Sequence, residues 1–178
     1  MTARLLLLTG PPGVGKTTVI RRVAAQLPAG RVTGFFTEEI RVAGARRGFS
    51  AVTFDGRERR MAGVGIRGPA RVGKYGVDVA VIDELAATAL APTRRTLVVL
   101  VDEIGKMECL STAFIAAMRR LLAGSTPVIA TVAQKGAGVI AEVKARRDVE
   151  LIHVTRTNRD DLPALALAWL FDRSARSR

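Results

Sequence analysis

The apolar run Leu5-Leu6-Leu7-Leu8 leads directly into GPPGVGKTT at residues 10–18, and this junction limits the possible folds more than any other stretch of the chain. A short apolar run stopped by glycine reads as a strand buried on both faces, here Arg4 to Thr9. Residues 16–27 then place Val19, Val23 and Leu27 at intervals of four, the spacing of one helix face, and stop before Pro28. Between strand and helix lies Gly10-x-x-x-x-Gly15-Lys16-Thr17, a pattern that cradles phosphate. Glycines let backbone N–H groups point at phosphate oxygens with no Cβ in the way, and the opening turn of the helix adds partial positive charge. In such a cradle Lys16 reaches the β and γ phosphates and the Thr17 hydroxyl ligates Mg²⁺, while Pro11, Pro12, Gly13, Val14 and Thr18 complete the wrapping stretch.

A phosphate cradle needs an acidic partner for its metal, expected at the end of a second buried strand. Thr96 to Val101 (TLVVLV) supplies the strand, and Asp102 and Glu103 follow it at once. Asp102 is the expected second Mg²⁺ ligand, and Glu103 the group that orients or deprotonates a water for in-line attack. Pairing of Glu103 with Lys106 or an arginine is the plainer alternative; Lys106 can also neutralise charge developing on the phosphoryl group. Thr131 is either a γ-phosphate sensor or a packing residue, and Arg41, Arg46 and Arg47 are candidate arginine fingers or plain surface charge. His153, the one histidine, is expected to be packed in its strand.

The rest of the chain alternates strands with helices. Val32 to Arg41 and Phe49 to Phe54 read as a hairpin turning at Gly44 and Gly48, with a further strand at Arg57 to Val64. Asp78 to Ala91 has helical spacing ended by Pro92, and Ser111 is a plausible N-cap for a helix reaching Ala123. Pro127 to Val132 is a third apolar strand, Val139 to Arg146 a helix, Val149 to Val154 a strand, and Asp161 to Phe171 a closing helix with Pro163 in its first turn. This alternation predicts an α/β fold of three α/β/α layers around a mostly parallel central sheet, with an inserted β-hairpin segment at 32–64 and the whole of 1–178 as one domain.

The formal charge of +12 is concentrated, since residues 41–74 hold nine basic side chains against Asp55 and Glu58. A nucleic-acid surface is one meaning; a solvated face is preferred, because the segment shows neither an RRM-type aromatic pattern nor a helix-turn-helix. The single Cys109 forms no intramolecular bridge, the Leu run has no small-residue cleavage site behind it, and no apolar stretch approaches the 18 or so residues of a spanning helix. A cytoplasmic monomer without membrane contact is the expectation.

With these blocks assembled, the chain resembles the cancer-related nucleoside-triphosphatase family, small phosphate-loop proteins. The resemblance runs through GPPGVGKTT (10–18), GFFTEEIR with GARRGF (34–41, 44–49), VGKYGVD (72–78), VDEIGKME (101–108) and VTRTNRD (154–160). It implies Mg²⁺-dependent hydrolysis of ATP, GTP, CTP and UTP to the diphosphate and phosphate, with broad base tolerance. It also implies nucleotide contacts at Gly10 through Thr17 and at Asp102, Glu103, Ile104, Gly105 and Lys106. The late loop with Thr155, Asn158 and Arg159 is the expected base-facing wall, since ligands of open α/β sheets sit at the carboxyl ends of the strands. Cys109 stands where relatives tend to carry an aliphatic residue, and the stretch before VGKYGVD is compact and arginine-rich. A nucleotide or nucleoside kinase and a nucleic-acid-linked NTPase share the cradle and are the alternatives.

Overall fold

The structure, a computed structural model, describes residues 3–176, with side chains as far as residue 172. Its strands are β1 (Leu5–Thr9), β2 (Val32–Val42), β3 (Ala45–Thr53), β4 (Glu58–Gly63), β5 (Arg71–Val72), β6 (Tyr75–Val77), β7 (Val98–Ile104), β8 (Val128–Val132) and β9 (Val149–His153). The helices are α1 (Lys16–Ala25), α2 (Val79–Thr88), α3 (Thr112–Ala123), α4 (Val139–Lys144) and α5 (Leu162–Arg176). All the strands join one sheet in the order β5-β6-β4-β3-β2-β7-β8-β1-β9. The run β2-β7-β8-β1-β9 is parallel; β3, β4, β6 and β5 extend it antiparallel.

Successive side chains of a strand point to opposite faces, so a strand covered on both sides must be apolar at every position. Leu5 and Leu7 enter one core with α2, α3 and α4, whereas Leu6 and Leu8 enter another with α1 and α5. Val99 and Val101 belong to the first core and Val98 and Leu100 to the second. The sheet is thus the middle of three layers, as expected. Phe35 and Phe114 meet edge-on in the first core, their ring centroids 6.3 Å apart.

The expected insertion is an extension of the same sheet. β2 has 11 residues: Val32 to Phe35 pair parallel with β7, and from Phe35 onward the strand pairs antiparallel with β3. One strand therefore belongs to both halves, and its outer part reaches past the carboxyl ends of its parallel neighbours. Gly34 makes this possible. Its φ is +114°, and a Cβ there would lie 1.8 Å from the Leu100 carbonyl oxygen, so no other residue fits between β2 and β7.

Several boundaries differ from expectation. β7 runs on to Ile104 instead of stopping at Val101, so Asp102 and Glu103 lie within the strand. Its pairing with β8 breaks after Val101 and resumes at Ile104 opposite Val132, and the Asp102–Glu103 peptide is cis. The small β5–β6 hairpin had no signal, because Arg71-Val72-Gly73-Lys74-Tyr75 has neither the length nor the alternation of a strand pair. Ser111 caps α3 as expected, its Oγ accepting from the Phe114 N–H at 2.9 Å and donating to Asp83 of α2.

Burial separates two phenylalanines. Phe114→Ala, in the α3 core, should cost about 3–5 kcal/mol in urea denaturation, and Phe171→Ala, at a side chain 49% exposed on α5, should stay within about 0.5 kcal/mol. Equal costs would contradict this layering.

Candidate active site

Parallel strands bring the ends of β1, β7 and β8 to one edge of the sheet. The phosphate loop leaves β1 there, and Gly15, at φ +113°, turns the chain into α1, whose first amides no side chain caps. Those N–H groups and the helix dipole make an anion-binding opening. Pro11, Pro12, Gly13 and Thr18 are exposed around it, and Val14 packs inward into the α1–α5 core.

Asp102 sits at the centre. It is 2% exposed, and each carboxylate oxygen takes a hydroxyl: Thr17 Oγ1 donates to Oδ2 at 2.6 Å across 85 positions of sequence, and Thr131 Oγ1 donates to Oδ1 at 2.5 Å. The backbone amide of Thr37, on the outreaching part of β2, is a third donor. Burial pushes the Asp102 carboxyl up, while the Thr131, Thr17 and Thr37 donors and the Lys16 charge favour the ionised form. Hydroxyls that donate to both oxygens mark Asp102 as a carboxylate.

Glu103 is half-buried beside it, with Oε2 3.7 Å from Lys16 Nζ. Its carboxyl is also pushed up, chiefly by burial and further by the Asp102 charge, against the lowering effect of Lys16. The Lys16 ammonium donates to the Gly10 carbonyl at 2.9 Å and so spans the mouth of the loop from Glu103 to β1. A carboxylate and a cation thus face the same opening as the helix amides.

The residues expected around this core divide. Lys106 is exposed and has no ion pair among the described residues, so the partner of Glu103 is Lys16. Ile104 is wholly buried and faces the core; Gly105 lies in the bend after it. Thr131 is wholly buried and turned onto Asp102, a carboxylate partner set back from the open mouth. Arg41 and Arg46 are both bound to Glu39, at 2.6 and 2.8 Å, and the hydrogen bond from Arg46 leads in holding that carboxyl below its usual range. Arg47 is exposed. His153, expected to be packed, is exposed on β9, the last strand of the sheet.

In the late loop, Asn158 is committed to the loop itself: Oδ1 accepts from the Thr155 N–H at 2.8 Å and Nδ2 donates to the His153 carbonyl at 2.9 Å. Arg159 instead lies across the phosphate loop, donating from Nη1 to the Val14 carbonyl at 3.4 Å, with its buried Nε unpartnered. It lines a cleft of about 240 Å³ with Gly15, Thr18, Val19, Arg22 and Asp160. Sequence reasoning passed over Glu108, 4% exposed behind Glu103, since an acid between Met107 and Cys109 carries no periodic signal of burial.

No group of three or more His, Cys, Asp or Glu side chains among the described residues is arranged to hold a metal by itself. One carboxylate beside one hydroxyl at a phosphate opening is the donor set of an oxygen-seeking cation that takes its other ligands from phosphate and water, and it fits Mg²⁺.

Comparison with known proteins shows the family of the chain. A model of the NTPase family matches residues 5–167. The nucleoside-triphosphatase THEP1 of Thermotoga petrophila is 39% identical, covering 88% of this chain and 87% of its own. The human cancer-related nucleoside-triphosphatase is also 39% identical, covering 90% and 93%. The crystal structure of THEP1 from Aquifex aeolicus superposes with a TM-score of 0.85 at 32% identity, covering 93% of this chain and 98% of that one. The solution structure of the human protein gives 0.78 at 38%, covering 93% and 96%. The chain belongs to the NTPase family, in the cancer-related nucleoside-triphosphatase group whose sequence blocks it carries.

Proposed function

We propose that the chain hydrolyses nucleoside 5′-triphosphates to the diphosphate and phosphate with Mg²⁺, as a single domain and a monomer in the cytoplasm. The observation that carries the reading is the convergence of Thr17, Asp102, Lys16 and Glu103 on the opening of the phosphate loop. Relatives bearing the name nucleoside-triphosphatase support the reaction class.

Thr17 and Asp102 are the residues to hold the cation, which when bound neutralises and orients the β and γ phosphate oxygens. The loop amides and Lys16 hold the phosphates and offset charge that builds on the terminal group. Glu103 accepts a proton from the attacking water as its oxygen bonds to the γ phosphorus and the bond from that phosphorus to the bridging oxygen breaks. Lys106, exposed on the adjacent bend, is the further cation to neutralise charge on the departing phosphate.

The Arg159 cleft supports broad base tolerance. A guanidinium plane stacks on any base, since every base has a π-face, whereas telling bases apart needs hydrogen bonds to their edges. Asn158, the one side-chain amide of the late loop, is already spent within that loop. Intramolecular pairing also absorbs much of the basic segment, since Arg41 and Arg46 bind Glu39, Arg57 binds Asp55 and Arg59 binds Glu84. This favours a solvated face over a nucleic-acid surface.

Glu103→Gln should lower kcat by about 10²-fold or more while MgATP binding, read by calorimetry, persists; normal turnover would remove Glu103 from this role. Lys16→Ala should weaken both binding and turnover. Phosphate release from ATP, GTP, CTP and UTP without any acceptor should give kcat/KM values within about tenfold of one another and require Mg²⁺. Label appearing in an added nucleoside would instead indicate a kinase.

A further inference from the structure

Glu108 is a buried acid with no role in the chemistry above. It opens the short 3-10 turn Glu108–Leu110 and has no ion pair among the described residues. Its side chain doubles back on the bend after Glu103 and accepts hydrogen bonds from its own amide and from the Gly105 N–H. The Gly105 carbonyl is taken from behind by the Cys109 N–H at 3.0 Å. Both backbone polar groups of Gly105 are therefore held by the turn that Glu108 begins.

The packing at Gly105 shows what this hold controls. A Cβ there would lie 2.8 Å from Glu108 Oε2 and 2.9 Å from Glu103 Oε1, so both carboxyl groups crowd the space that a side chain at Gly105 would fill. Glycine at this position lets both carboxyl groups lie close against the bend. Moving Glu108 takes this acceptor from the Gly105 amide and loosens the bend that follows Glu103.

Resting on the reading of Glu103 above, we propose that Glu108 is a positioning residue: folded back on Gly105, its carboxyl pins the bend and holds Glu103 facing Lys16 and the phosphate loop. A simple staple could equally be an amide, so the charge state of the acid matters. Burial first, and then the charges of Glu103 and Asp102, push the Glu108 carboxyl up to about 8, against its two backbone hydrogen bonds. The surrounding titratable groups are Glu103 and Asp102 on β7, Lys16 on α1 beyond Glu103, Cys109 on its own turn, and Asp83 of α2, which is tied to Ser111. With its carboxyl raised to about 8, Glu108 is uncharged at neutral pH and adds no charge beside Glu103. Above about 8 a second charge appears and repels Glu103 from its place.

The sign for stability follows from the same shift. The folded carboxyl keeps its proton up to about 8, whereas the unfolded one loses it near 4.5, so in that window the folded state binds more protons and stability falls as pH rises. Glu108→Gln removes this slope.

The test is the pH profile of phosphate release at saturating Mg²⁺ and nucleotide, with melting curves of the same proteins. For the wild type, kcat should fall as pH passes about 8. Glu108→Gln, fixed in the uncharged form, should flatten that alkaline limb relative to its own neutral rate, and its Tm advantage over the wild type should widen from about pH 5 to about pH 8. Glu108→Ala should lose about tenfold in kcat with KM unchanged. An alkaline limb in the glutamine variant identical to the wild type's, or full kcat in the alanine variant, overturns the proposal; should the alanine protein not fold, the glutamine profile decides alone. Glu103→Gln, assayed beside them, separates the two readings: normal turnover there defeats the catalytic assignment, whereas failure confined to the Glu108 variants defeats only this one.

Discussion

A carboxylate removed from water survives only with donors around it, and the structure is arranged to supply them to Asp102. Thr17 arrives from the phosphate loop, Thr131 from β8 and the Thr37 amide from β2, three elements far apart in sequence. Each bond fixes one neighbour of the site: the loop to β7, β8 to β7, and the long hairpin to the carboxyl edge. The carboxylate thereby organises the opening.

Its burial is possible because the sheet is covered on both faces. Leucines on consecutive positions of β1 feed two separate cores, one on each face of the sheet. β2 carries the same logic outward, with its first residues locked against β7 through Gly34 and its later ones reaching beyond the edge as half of a hairpin. The antiparallel extension is thus continuous with the site and contributes directly to it.

The acids crowded at the end of β7 differ in what surrounds them. Asp102 has hydroxyl donors, Glu103 has Lys16, and Glu108 has only backbone amides. Burial pushes all three carboxyls up, and Glu108, whose only hydrogen-bond donors are backbone amides, reaches about 8. Elsewhere excess positive charge is managed by pairing, most visibly where Glu39 takes both Arg41 and Arg46, and Arg46 also donates to the Tyr75 hydroxyl at 3.0 Å.

Much of this could be read from the chain alone. Strand, glycine turn and helix at residues 5–25, the apolar run into Asp102, and the Ser111 cap are local patterns, and local geometry dictates them wherever they occur. What remained closed was everything set by neighbours distant in sequence. Thr131 lies within a strand, and only the β7–β8 pairing turns its hydroxyl onto Asp102. Asn158 looks free to read a base until the loop folds its amide back on itself. Glu108 carries no sign of burial in the sequence, and only the turn after β7 buries it against Gly105. Sequence by itself determined the phosphate cradle and the layers around it, because periodicity and backbone freedom are properties of adjacent residues; tertiary structure alone decided which polar groups face the opening and which are consumed in holding it, because hydrogen bonds and burial depend on what the fold brings alongside.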